Sequence, residues 1–250
     1  MTNYNQDNYA TGTIRSEGVG RPEILDAFEP HLACLMLLDT SSSMLGMDGT
    51  PIGQRPIDRL NEGLKRFVDQ VRTDPIAMRR IDVAVMRFAS APATMVQDFT
   101  PLSQMNPPQL QANGLTDMGN AIDMAIDKVK EQNRRYEAMG TPHYKSWIFM
   151  ITDGAPTDSI TKAKVRIADQ EHKGRLKFWA IGVPGYDQAT LANIVAAKGR
   201  AIALNDKDFT GIFDWASNSM VTIMESQVGL EPEIGQETYN PGMVEIEVEV

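Results

Sequence analysis

Short apolar runs alternate along this chain with longer stretches that carry an apolar residue at every third or fourth position. The segments at residues 32–38, 81–89, 94–99, 145–152, 177–183 and 201–204 read as strands, the second with Val83, Val85 and Phe88 as core positions, the fifth stopped by Pro184 and Gly185. Between them lie helical stripes. Ile57, Leu60, Leu64, Phe67 and Val71 mark one; Ala121, Ile122, Ala125 and Val129 mark a second in a helix that begins near Met118. Residues 159–172 and 189–197 read as two more helices, and Phe209, Ile212, Phe213, Met220 and Ile223 stripe a last one, with Asp208 as its N-cap. This alternation predicts an α/β fold: a doubly wound, mostly parallel central sheet with helices on both faces.

The pattern changes at both ends. Residues 1–29 are rich in Asn, Asp, Gly and Thr and read as an extended arm; residues 30–226 carry the alternation and form the domain. Residues 227–250 are an extension broken by Pro232, Gly235, Pro241 and Gly242, whose residues 244–250 alternate Val or Ile with Glu as a half-buried strand. That strand is expected to extend the domain's own sheet, with pairing to another chain as the sharper alternative.

Composition narrows the function classes. The 250 residues are 42% hydrophobic, enough to bury a substantial core, and carry a formal net charge of -9. Such a charge argues against nucleic acid as a partner, since phosphate-backbone binding needs clustered Lys and Arg. Cys34 is the single cysteine and lies inside the first apolar run, so it reads as a small core residue. The polar N-terminal segment has no signal-peptide pattern and no stretch is long enough to span a bilayer, so a cytoplasmic, non-membrane protein is expected. His31, His143 and His172 are isolated and lack metal-ligand spacing; hydrogen-bonded or surface roles are expected.

The candidate chemistry sits where the first strand ends. Asp39-Thr40-Ser41-Ser42-Ser43 follows that run, and extended backbone turns the side chains at Asp39, Ser41 and Ser43 to the same side. Thr116 lies at the turn before the second helix, and Asp153 ends the run at residues 145–152, ahead of Gly154 and Pro156. In open α/β sheets, ligands bind beyond the carboxyl ends of the strands, where Asp39 and Asp153 would fall. One set of hard oxygens from carboxylates and hydroxyls suits Mg²⁺, or Mn²⁺. Asp117 and Asp158 are expected to cap the helices that follow them. The 15 methionines read as core filler, with Met44, Met47 and Met118 as candidates for an adaptable rim.

These residues carry a resemblance. Asp39, Ser41, Ser43, Thr116 and Asp153 match the D-x-S-x-S, then T, then D order of the metal-ion-dependent adhesion site (MIDAS) of von Willebrand factor type A (vWA) domains. Within that family the chain most resembles the bacterial TerY-like branch associated with tellurium resistance and stress response, on residues 38–44, 150–158 and 213–217. It departs from the common pattern at Ser42 and Leu115, where Gly is frequent, and Leu115 is expected to reshape its loop.

The resemblance implies a non-enzymatic adaptor. Its serines and threonine would ligate the ion directly, its aspartates largely through water, and an Asp or Glu of a protein partner would fill an open coordination position. Loops at residues 44–56 and 101–115 would set specificity, and relatives suggest kinase or phosphatase partners. A metal-dependent hydrolase or phosphotransferase is the alternative, but the chain has no G-x-x-x-x-G-K-[ST] loop and no motif-placed general base. A structural subunit that self-assembles through its terminal arms is a third reading.

Overall fold

The sheet runs in the order β3-β2-β1-β4-β5-β6-β7, and its central strands are parallel. The computed structural model describes residues 29–205, 209–234 and 239–248. The strands are β1 (Leu32–Asp39), β2 (Ile81–Phe88), β3 (Thr94–Pro101), β4 (Ser146–Thr152), β5 (Leu176–Gly182), β6 (Ala201–Leu204) and β7 (Met243–Glu245). The helices are α1 (Pro56–Val71), the single turn α2 (Ala77–Arg80), α3 (Met118–Met139), α4 (Thr161–His172), α5 (Gln188–Ile194) and α6 (Thr210–Met224). The two edge strands, β3 and β7, run antiparallel to their neighbours. This is the doubly wound α/β fold expected.

Side-chain alternation along β1 builds the two cores. Cys34, Met36 and Leu38 face α1 and α6; Leu35 and Leu37 face α3 and α4. Both faces are covered, so β1 is buried throughout, which is why it reads as a continuous apolar run. Cys34 is fully buried, and burial pushes its thiol well above the ordinary range. On the first face α1 packs closely on α6 because Gly63 has no Cβ; one placed there would lie 2.5 Å from the Phe213 ring. Five rings gather nearby: Trp147, Phe149, Trp179, Trp215 and Tyr239.

The start of the sheet is lined with basic groups that meet carboxylates from outside the strands. Arg80, ahead of β2, bonds Glu29 at 2.9 Å; Lys145, ahead of β4, lies 3.7 Å from Glu231; Arg200, ahead of β6, lies 3.1 Å from Glu233. His31 takes a hydrogen-bonded role at this end, 3.0 Å from Asp82, which also accepts the Tyr136 hydroxyl.

Several expectations are adjusted. The expected strand at residues 244–250 is observed as β7, Met243–Glu245, paired with β6 over three positions, with Ile246 and Val248 buried beyond it and Val244 about half exposed at the sheet edge. It adds to the chain's own sheet. The helix expected from residue 159 begins at Thr161. Asp208, most of the N-terminal arm and residues 249–250 lie outside the described residues.

Candidate metal centre

The sheet order reverses direction between β1 and β4, the topological switch point, and the carboxyl ends of these two strands carry Asp39 and Asp153. Register places Asp39 beside Thr152, since Leu38 pairs with Ile151. The Thr152 hydroxyl donates to Asp39 Oδ2 at 2.6 Å, and the Ser41 amide donates to Oδ1 at 2.8 Å, so the carboxylate is held from both sides. Asp39 is fully buried, and burial pushes it up to about 6, against the lowering by these hydrogen bonds; the charge of Asp153 adds to the rise.

The serines close the ring. Ser41 Oγ lies 2.9 Å from Ser43 Oγ, and the Ser43 hydroxyl donates to Asp153 Oδ1 at 2.6 Å. Ser41 and Asp153 are nearly buried while Ser43 is exposed, so the group opens to solvent on the Ser43 side. Thr116 enters from the second loop. Gly154 leaves its hydroxyl uncrowded, because even a Cβ there would stand 3.5 Å from Thr116 Oγ1. Gly185, at φ +119, allows the loop after β5 to pass beneath Asp153, where a Cβ would fall 2.7 Å from the Asp153 carbonyl oxygen. The structure thus brings Asp39, Ser41, Ser43 and Asp153 together, and places Thr116 beside Gly154, the neighbour of Asp153 in the chain.

Hydrogen bonds join the three loops that carry them. Ser42 N–H donates to Gly114 O at 3.0 Å and Asn113 N–H to Thr40 O at 2.7 Å; Thr157 N–H donates to Thr116 O at 2.8 Å. Leu115 keeps its place without distorting this seam: its side chain is largely exposed and its N–H donates to Ser90 Oγ at 3.1 Å. Gly114, just before it, takes the left-handed backbone at φ +86.

Neither aspartate caps the helix that follows it. Asp117 stands at the N-cap position of α3 but does not cap it; its carboxylate accepts from Ala91 N–H and, at 2.8 Å, from the Thr157 hydroxyl. Asp158 caps α3 instead, accepting from Gly119 N–H at 2.9 Å and Asn120 N–H at 2.8 Å. Gly119 permits the approach, since a Cβ would lie 2.2 Å from Ser159 O. Asp158 therefore ties the third loop to the helix that leaves the second, and Asp158→Ala is expected to cost about 1 kcal/mol, read as a lower urea midpoint. An unchanged midpoint would remove this cap from the account. Met44 and Met118 are fully buried, where they fill core space beneath the loops; of the three candidate rim methionines Met47 alone is exposed.

The donor set is hard oxygen: three hydroxyls and two carboxylates, the latter close enough for Asp153 to raise Asp39. Such a set fits a small divalent cation, which offsets the like charges that burial makes costly.

The von Willebrand factor type A domain profile matches residues 35–215. The chain belongs to the von Willebrand factor type A family. Solved structures similar to it include proximal thread matrix protein 1 from the mussel byssus, at 18% identity and TM-score 0.52, covering 78% of this chain and 46% of that one. Another form of that protein has a zinc-occupied MIDAS motif, with 15% identity, TM-score 0.53, and 78% and 48% coverage. The pilus adhesin SpaC of Lactobacillus rhamnosus GG matches at 12% identity and TM-score 0.61 over 77% of this chain and 31% of that one. At these identities the likeness is one of fold, and this vWA chain spans less than half the length of each. Among the described residues no helix is long and apolar enough to cross a membrane.

Proposed function

We propose that this vWA protein is a non-enzymatic, metal-dependent adaptor, in which Asp39, Ser41, Ser43, Thr116 and Asp153 hold Mg²⁺, with Mn²⁺ as a substitute, and a protein partner supplies an Asp or Glu. The observation that carries the reading is the convergence of Asp39, Ser41, Ser43 and Asp153 at the β1/β4 switch point, with the Thr116 loop hydrogen-bonded to the loop after β4 beside them. When bound, the ion supplies a positive centre to which a partner carboxylate can be directed.

The residues divide the work. Ser41, Ser43 and Thr116 offer neutral oxygens and leave the positive charge of the centre largely uncompensated. Asp39, fixed by Thr152 and the Ser41 amide, and Asp153, fixed by Ser43, orient the hydroxyls and balance charge from behind. Leu45, Met47 and Leu115 present exposed apolar surface on the loops around this group, and such surface favours contact with a protein. Among the described residues, the side chains of Asp39, Ser41 and Ser43 hydrogen-bond hydroxyls, a backbone amide and a carboxylate, with no histidine or lysine beside them; this supports binding rather than acid–base chemistry.

The setting follows from the TerY-like resemblance: a bacterial cytoplasm, a tellurium-resistance or stress system, and kinase or phosphatase partners. Immobilised protein is expected to retain a partner from host lysate in Mg²⁺ and to release it in EDTA, while a folded Asp39→Ala, Ser41→Ala variant retains none. A partner held equally by the variant and in EDTA would sink the proposal.

A further inference from the structure

At the opposite end of the sheet, between α3, α4 and the start of β5, lies a cavity of about 150 Å³. Lys130 and Arg134, one helical turn apart on α3, and Arg175, just ahead of β5, line it. Among the described residues none of the three forms an ion pair or a side-chain hydrogen bond; Lys130 reaches Asp169 only through space. Nearby acids are already engaged. Glu131 pairs with Lys128 and Arg135, and Asp169 with Lys173. Glu137, the acid on the wall, stands outside ion-pair distance of all three cations. In a chain with a net charge of -9, three uncommitted cations around one hollow are a marked local reversal.

The interior of the hollow is different. Ile126, Val129 and Leu176 are buried side chains that give it one apolar wall, with Gln170 and His143 among the polar residues of the rest. Asn133, also buried, has its Oδ1 committed to the Ser146 hydroxyl at 2.7 Å, which leaves the donor end of the amide for another acceptor. A cavity near 150 Å³ has room for about one six-membered ring. The guanidinium forks of Arg134 and Arg175, both exposed residues of its lining, suit the oxygens of a phosphate.

We infer that this cavity binds a small phosphomonoester, its apolar body against Ile126, Val129 and Leu176 and its phosphate between Arg134, Arg175 and Lys130. The site is roughly 20 Å from the candidate metal centre, the length of a seven-residue strand such as β5, and does not depend on it.

Phenyl phosphate is the probe, with inorganic phosphate and phenol as its two halves. Calorimetric titration into the full chain is expected to show saturable binding of phenyl phosphate at least tenfold tighter than of either half. An Arg134→Gln, Arg175→Gln variant is expected to weaken it at least tenfold while its thermal unfolding and Mg²⁺ titration stay those of the parent. Absence of saturation, equal affinity for phenol or for inorganic phosphate, or unchanged binding by a folded variant would each overturn the assignment. Should the pair of substitutions unfold the protein, Arg134→Gln alone, exposed on α3, carries the same test.

Discussion

Asp153→Ala is expected to abolish saturable Mg²⁺ and Mn²⁺ binding in calorimetric titration, a loss on the order of 100-fold or more, while the fold survives. The carboxylate ends β4, accepts the Ser43 hydroxyl at 2.6 Å and is nearly buried, so its removal frees Ser43 and takes half of the charge from the centre. The same change leaves Asp39 without a like-charged neighbour in a buried place, so apo stability should not fall. EDTA provides the second readout. Wild-type protein in Mg²⁺ at 100 times its dissociation constant should lose about 2.7 kcal/mol of stability on chelation, and the variant none. Binding of the ion by Asp153→Ala with parental affinity would remove this residue from the site.

Trp179→Ala is expected to cost about 3–5 kcal/mol, a large part of the stability of an ordinary domain. The indole is fully buried on β5, 4.7 Å from Trp147 and 4.8 Å from Phe149 between ring centroids, and the Arg200 guanidinium lies 4.2 Å from its own centroid. Truncation would leave both a void and a buried cation without its aromatic partner. Trp179→Phe separates volume from polarity. The indole N–H is buried with no acceptor among the described residues, so phenylalanine deletes a donor that gains nothing, and its cost should be well under half that of alanine. Equal costs for the two variants in urea denaturation would place the energy elsewhere.

Much of this architecture is legible in the residues because parallel strands covered on both faces are apolar without interruption. Residues 32–38, 145–152 and 177–183 announce themselves for that reason, and the side of β1 on which each residue lies follows from alternation alone. Four side chains of the site are legible for a related reason: Asp39, Ser41, Ser43 and Asp153 close or follow strands whose ends meet in this topology, whereas Thr116 stands at the turn before α3. What sequence proximity misjudged was partnership across loops. Asp158 stands beside α4 and Asp117 beside α3, yet Asp158 serves α3 while Asp117 serves Ala91 and Thr157, because loop packing rather than adjacency decides which amide a carboxylate meets. Thr152 escaped notice as the holder of Asp39 although strand register signals it, once β1 and β4 are known to be neighbours. Met44 and Met118 are core filler, as expected of the methionines in general, and only Met47 keeps the exposed position that a rim requires.

Both rims of the sheet bear on solubility. β3 runs against β2 with irregular register around Val83 and Val85 and carries Asp98 and Pro101, while β7 offers only three residues. A bent, charged edge and a very short one are poor templates for a further strand, so copies of this chain are discouraged from stacking side by side into fibres. The protein can therefore expose apolar loop residues such as Met47 and Leu115 at one end without its sheet becoming a seed for aggregation.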